Sequence, residues 1–244
     1  MQIIEVTELA GVRSAVMTFR HPAARLRFVL YPMIHVGEPE FYAQVQEELR
    51  GCDIVLAEGV NGLSLSMRAR IASYRLVTKN DRFALVPQHI DYAGLDAAVI
   101  RADMTGREFT ALWRKIPLVS RILSLVLFLF YSTGMRLFGS RRLIARALTT
   151  DDDPSRPPQD PDAVYDLIVT RRDEVLLRAA TELHRERGAD DLVVAVVWGA
   201  GHMPGLIKGL WALGYRVQDA HWLTVFSLHH DHEAPPRPPG RGTA

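Results

Sequence analysis

The sequence predicts an α/β fold: a single domain whose mixed central sheet has parallel core strands flanked by helices, plus a helical insertion near 101–150. Three observations predict it. The 244 residues are 48% hydrophobic, enough to bury one large α/β core or two small ones. DIVLAEG, from Asp53, and DLVVAVVWG, from Asp191, contain continuous apolar runs of the kind found in strands covered on both faces. Helically spaced segments follow such runs, and the order strand, helix, strand favours a parallel pair with a right-handed crossover.

The chain opens as a hairpin or meander. IIEVTEL and RSAVMTF flank Ala10-Gly11 with partial alternation, and RLRFVLYPMI follows as a nearly continuous run, so edge strands lead into a buried central one. GEPEFYAQVQEELRG predicts a helix: Pro39 suits a first turn, Phe41, Val45 and Leu49 recur every four residues, and Gly51 suits a C-terminal cap. DIVLAEG is then a buried strand ending on Glu58. Residues 63–76 read as helical, with Leu63, Met67 and Ile71 on one face, and FALVP, from Phe83, as a short strand. GLDAAVIRAD is helical by pattern, and TGREFTALWRKI reads as a second helix started by Thr105.

The segment 116–139 is strongly apolar. Its uncharged run, Ile122 to Met135, has 14 residues, whereas a membrane span needs about 20. A buried hairpin helix is therefore favoured over a span. Arg114, Lys115, Arg121, Arg136, Arg141 and Arg142 flank the run and keep a membrane surface in view as a partner through 116–142. DDDPSRPPQDPD, from Asp151, predicts a flexible loop, after which Asp160 or Asp162 caps a long helix reaching about Arg187 and ended by Gly188. DLVVAVVWG is the clearest buried strand of the chain. MPGLIKGLWALG reads as a helix with Leu206, Leu210 and Leu213 on its apolar side, and YRVQDAHWLTVFSL supplies one or two last strands. The domain therefore spans 1–232, and 233–244 is a predicted disordered tail.

Composition narrows the function classes. Lys and Arg total 29 against 28 Asp and Glu, so a nucleic-acid partner is not expected. Basic residues nevertheless concentrate between Arg101 and Arg146. The single cysteine, Cys52, rules out a disulfide within the chain and reads as an inert thiol. The N-terminus lacks a basic stretch followed by an apolar core, so a cytoplasmic location is the expectation.

Three polar residues share one placement: His35 after RFVLYPMI, Glu58 after DIVLA, and His202 after DLVVAVVWGAG, each followed by a helical pattern. In open α/β sheets, ligands bind beyond the carboxyl ends of the strands. If these strands are parallel neighbours, two imidazoles and one carboxylate converge on one crevice. Such a set suits a divalent metal of the Zn, Mn or Co type, with His35, Glu58 and His202 as ligands and one position open for water. Gly199 and Gly201 let the backbone turn and leave room beside His202. In TRRDEVLLRAA, Arg172 falls on the apolar stripe of Ile168, Leu176, Ala179 and Leu183, where it either snorkels or pairs with an interior acid. It is a candidate anion clamp or oxyanion partner. Arg171 is its solvent-facing neighbour, and Asp173 is placed to orient a histidine through its second nitrogen. Glu38 is a candidate second acid beside Glu58. Gln88, in QHIDY, is positioned to line the crevice, whereas His89 reads as structural. The run of His229, His230 and His232 reads as a solvated end.

These motifs resemble the TraB/PrgY/GumN family, which is related to the TIKI-type proteases and more distantly to the erythromycin-esterase and ChaN-like group. GAGH, Gly199 to His202, is similar to the second of the family's two Gly-x-x-His motifs. IVLAEG resembles its acidic strand and points to Glu58. TRRDEVLLRAA resembles its Arg-Asp helix and points to Arg172 and Asp173. VPQHIDY is similar to a glutamine segment in mid-chain. PMIH departs from the first motif, with Pro32 where glycine is expected. The resemblance covers roughly Leu26 to Val225, with 101–150 least matched. It implies an α/β fold with a mixed sheet and, for the protease-like members, metal-dependent hydrolysis of a peptide. The expected activity is therefore a hydrolase acting on a peptide or small molecule. A metal-free esterase-like enzyme and a membrane-associated regulatory or binding protein without catalysis are the alternatives.

Overall fold

Residues 2–59, 84–138, 140–149 and 163–228 are described by the computed structural model. The first strands form as their alternation predicts. β1 (Ile4–Thr7) and β2 (Gly11–Arg20) pair antiparallel through a tight turn, with Gly11 at a φ of +71°. A side chain there would meet the Phe226 carbonyl, so glycine serves both the turn and the neighbouring strand. β3 (Arg27–Met33) pairs antiparallel with β2 and parallel with β8 (Val193–Gly199), and this central position accounts for its continuous apolar run. Pro32 cannot donate to a ladder, but β2–β3 pairing covers only residues 28–30 of β3, and the Ser14 hydroxyl donates to the Pro32 carbonyl at 2.6 Å.

The sheet runs β1-β2-β3-β8-β5-β7, with β9 (Arg216–Phe226) on β2. β3, β8, β5 (Ile54–Ala57) and β7 (Ala98–Arg101) are parallel, and the remaining strands are antiparallel. Helix α1 (Pro39–Leu49) joins β3 to β5, burying Phe41, Tyr42, Val45 and Leu49. The two strands it connects are not neighbours, because β8 enters between them from the far end of the sequence. Val194 to Trp198 in β8 are each 0% exposed, as a central strand covered on both faces requires.

β4 (Val36–Gly37) and β6 (Val86–Pro87) form a separate two-stranded ribbon. The helix expected over GLDAAVIRAD does not form. Asp91 caps a single 3₁₀ turn, and Ala98–Arg101 joins the sheet as β7 beside β5. Thr105 starts α2 (Gly106–Lys115) as predicted, with a full capping box to Glu108. α3 (Leu118–Phe138) and α4 (Arg141–Thr149) complete the insertion. The long helix α5 (Arg171–Arg187) follows a short turn, Ala163–Tyr165, and a π-helical stretch, Asp166–Thr170, and ends at Gly188 as expected. α6 (Met203–Ala212) packs beside it, burying Met203, Leu206, Ile207 and Leu210. Cys52 is buried, which pushes its thiol up to about 11 and agrees with an inert role. The readings at 63–76, 151–162 and 233–244, and of His229, His230 and His232, lie outside the described residues.

Candidate functional site

The strand order brings the three predicted strand ends together. Met33 is level with Gly199 and Ala57 with Val197, so the residues after β3, β5 and β8 leave the sheet on the same edge. A Cβ placed on Gly199 would lie 3.3 Å from Glu58 Oε2, 3.6 Å from His202 Cδ2 and 3.9 Å from His35 Nε2, so one glycine marks where the three groups meet. The Gly199 backbone N–H also donates to Glu58 Oε2 at 2.7 Å. Gly201 plays no comparable part, since a side chain there would enter open space.

The centre of the site is the guanidinium of Arg172. It lies at the start of α5, just past the π-helical stretch, and its side chain is 8% exposed. Nε and Nη2 donate to the two oxygens of Asp103, at 2.9 and 2.6 Å, and the Asp103 side chain is fully buried. Nη2 also donates to Glu58 Oε1 at 2.7 Å, and Nη1 donates to His202 Nε2 at 3.2 Å and to the Ile168 carbonyl at 3.4 Å. All five guanidinium N–H groups thus have partners, and none is left to clamp a substrate anion. The Trp198 ring lies 5.1 Å from the guanidinium and meets His202 edge-on at 5.0 Å.

Asp103 escaped the sequence reading because its strand was read as a helix. Once Ala98–Arg101 is recognised as β7, Asp103 is a fourth polar residue just past the carboxyl end of a parallel strand. Its carboxylate also accepts from the backbone N–H of Gly59 and of Met104, at 3.0 and 2.7 Å.

His202 is held at both nitrogens. Nδ1 donates to Asp173 Oδ1 at 2.6 Å, as expected for Asp173, while Nε2 accepts from Arg172. Gly205 in α6 was also missed, although a side chain there would collide with the Asp173 carboxylate. His35 differs from His202 in being exposed. Its Nδ1 donates to Gln88 Oε1 at 3.0 Å and its carbonyl accepts from the Gln88 N–H, so Gln88 fixes a proton on Nδ1. Glu38 stands elsewhere: its carboxylate accepts from Arg141, at 2.6 Å, and from the Ser227 N–H, and it joins none of these contacts. Arg171 is exposed, as predicted, and so is His89.

Burial raises the Glu58 carboxyl, but Arg172, then His35 and His202, more than offset this and hold it below the ordinary carboxylate value. Burial raises the Asp173 carboxyl, and its bond to His202 opposes this only in part. The consequences for stability are opposite in sign. Glu58, lowered on folding, stabilises above about pH 4.5 and loses this contribution as pH falls towards its folded value. Asp173, raised on folding, weakens the fold as pH rises. Urea unfolding between about pH 3 and 7 should therefore show a steeper acid loss in the native protein than in Glu58→Gln. Equal slopes would show that Glu58 is not held as a buried anion.

This arrangement does not fit the divalent ion that the sequence pattern suggested. Glu58 Oε1 and His202 Nε2, two of the three atoms required, already accept from Arg172, a cation that belongs to the chain. Among the described residues no group of three His, Cys, Asp or Glu is placed to hold a metal. Chemically, the site offers an exposed imidazole beside a fixed carboxylate. In comparisons with family models, curated proteins and solved structures, nothing matches the chain.

Proposed function

We propose that the protein is a metal-free hydrolase of esters or related acyl compounds, with His35 as general base. The observation that carries this reading is the occupation of the site's centre by Arg172, which takes the place of a bound metal and leaves His35 as its exposed imidazole. In the proposed reaction, His35 Nε2 takes a proton from water as the water oxygen attacks the acyl carbon. The same proton then passes to the departing alkoxide, so the products are an acid and an alcohol. Gln88 fixes the ring's tautomer, and Glu58, kept ionised, steadies the imidazolium between the two transfers. His202 and Asp173 are positioning residues that hold Arg172 and Trp198. The resemblance to the TraB/PrgY/GumN family and its esterase relatives supports a hydrolase; the donor set favours its metal-free form.

Substrate binding falls to a different arginine from the one first expected. Arg101 ends β7, level with Ala57, is exposed, and places Nη1 3.0 Å from where a Cβ on Gly59 would stand. Gly59 has a φ of +144°, a conformation that favours glycine and keeps this approach open. Arg101 is thus the anion-binding group of the proposed site, and the preferred substrates carry a carboxylate or phosphate. The test is hydrolysis of a panel of esters with and without such a group, assayed with a chelator present. Turnover should persist, and Arg101→Gln should raise KM about tenfold or more for the anionic esters alone. Activity lost on chelation and restored by a divalent ion would overturn the reading, as would no hydrolysis of any ester.

A further inference from the structure

α3 is amphipathic in the reverse sense. Val119, Ile122, Leu123, Val126, Leu127 and Phe130 fall at i, i+3, i+4, i+7, i+8 and i+11, and therefore on one face. That spacing normally marks the face turned to the core, yet these residues are 53–81% exposed. Ser120, Arg121 and Ser124, on the opposite side, are half-buried, and the Ser124 hydroxyl donates to the Arg121 carbonyl. None of the described side chains of α3 belongs to either buried apolar cluster. The buried hairpin helix expected from the sequence is thus a helix with its apolar face outward.

The charge around α3 says what covers that face. From Phe109 to Thr150 there is no aspartate or glutamate, but there are seven arginines and lysines, in a chain whose net charge is only +1. Arg114 and Lys115 are exposed in the last turn of α2, immediately before α3; Arg142, in α4 just beyond it, is exposed but pairs with Glu8 at 3.3 Å. Two copies meeting through this face would bring two cationic segments together, which disfavours a homodimer. The uncharged run between Arg121 and Arg136 is only 14 residues, about 21 Å of helix against a hydrocarbon layer of about 30 Å. Among the described residues no helix is long and apolar enough to cross a membrane. An apolar face flanked by cations fits an interface that is apolar within and anionic at its rim.

We infer that α3 is a membrane-surface anchor: its outward face lies among the acyl chains of an anionic bilayer, with Arg114 and Lys115 at the level of the headgroups. This inference is independent of the proposed hydrolysis.

Co-sedimentation of the full chain with vesicles tests it. Binding is expected to phosphatidylcholine vesicles containing phosphatidylserine, with little to phosphatidylcholine alone, and to fall as salt is raised. Val126→Ser combined with Phe130→Ser should weaken binding about tenfold or more, and Arg114→Gln with Lys115→Gln several-fold, without lowering Tm because all four side chains are exposed. No binding to the anionic vesicles would overturn the inference. Membrane association that resists alkaline carbonate would overturn it in favour of insertion, and a dimer dissolved by the serine substitutions would overturn it in favour of a second copy.

Discussion

Replacing Arg172 by methionine is expected to cost the fold about 3–5 kcal/mol, more than any other single change at the site. The cause is what the substitution leaves behind. Asp103 is fully buried and Glu58 nearly so, and each relies on the same Nη2 for a strong bond. Without the guanidinium, two carboxylates face each other across an apolar space and His202 Nε2 loses its donor. Lysine should recover only part of the loss, because three N–H donors on a point charge cannot reach partners spread around a planar fork. Removing the stranded charge as well should help: Arg172→Met combined with Asp103→Asn should be less damaging than the sum of the two single changes, by 1 kcal/mol or more. Urea unfolding of the three variants measures this. A loss below about 1 kcal/mol for Arg172→Met would mean that the carboxylates are solvated and that the cation is dispensable.

Two parts of this network were legible in the sequence and one was not. The continuous apolar runs before His35, Glu58 and His202 identified three parallel strands, because only strands covered on both faces can be apolar at every position. Their polar ends then had to share an edge. The spacing of Arg172 on the stripe of Ile168 and Leu176 left it either snorkelling or paired with an interior acid, and the contacts to Asp103 and Glu58 are the second of these; Asp173, read as placed to orient a histidine, meets His202. The third part, the acid that Arg172 needs, was hidden in AVIRAD. Ala98–Arg101 is an edge strand with exposed side chains, so it lacks both a buried run and a clean alternation, and its composition suits a helix equally well. That misreading also assigned Arg172 the wrong task. With one acid in view, the arginine had donors to spare for a substrate; with Asp103 in place it has none. Glu38 misled for a related reason. It lies three residues from His35, but β4 intervenes, and tertiary contact carries it to Arg141 on α4. α3 was misjudged because the length of its apolar run shows that it is short for a membrane span and not which way its side chains point.

His35→Ala should lower kcat by about 10²–10⁴-fold while leaving Tm almost unchanged, and this dissociation separates catalysis from architecture at the site. His35 is exposed, so its loss opens no cavity. His202→Ala should behave in the opposite way. It removes a buried ring that bridges Asp173 and Arg172 and packs on Trp198, so stability should fall by a few kcal/mol before any effect on chemistry can be read. Gln88→Ala gives the finer test. Losing the partner of Nδ1 frees the ring's tautomer without removing the proposed base, so kcat should fall less than in His35→Ala while KM stays constant. The three variants together discriminate between the two histidines. If His202 were the base and His35 a surface group, His35→Ala would keep full activity, and the exposed ring beside Gln88 would need another explanation. The asymmetry follows from burial and from the groups that each ring faces. An imidazole whose two nitrogens are bound to an aspartate and an arginine cannot accept a proton from water without breaking one of those bonds. His35 instead is exposed, bonds a neutral amide at Nδ1, and stands near a carboxylate kept ionised by the neighbouring guanidinium, which favours the imidazolium that proton uptake creates.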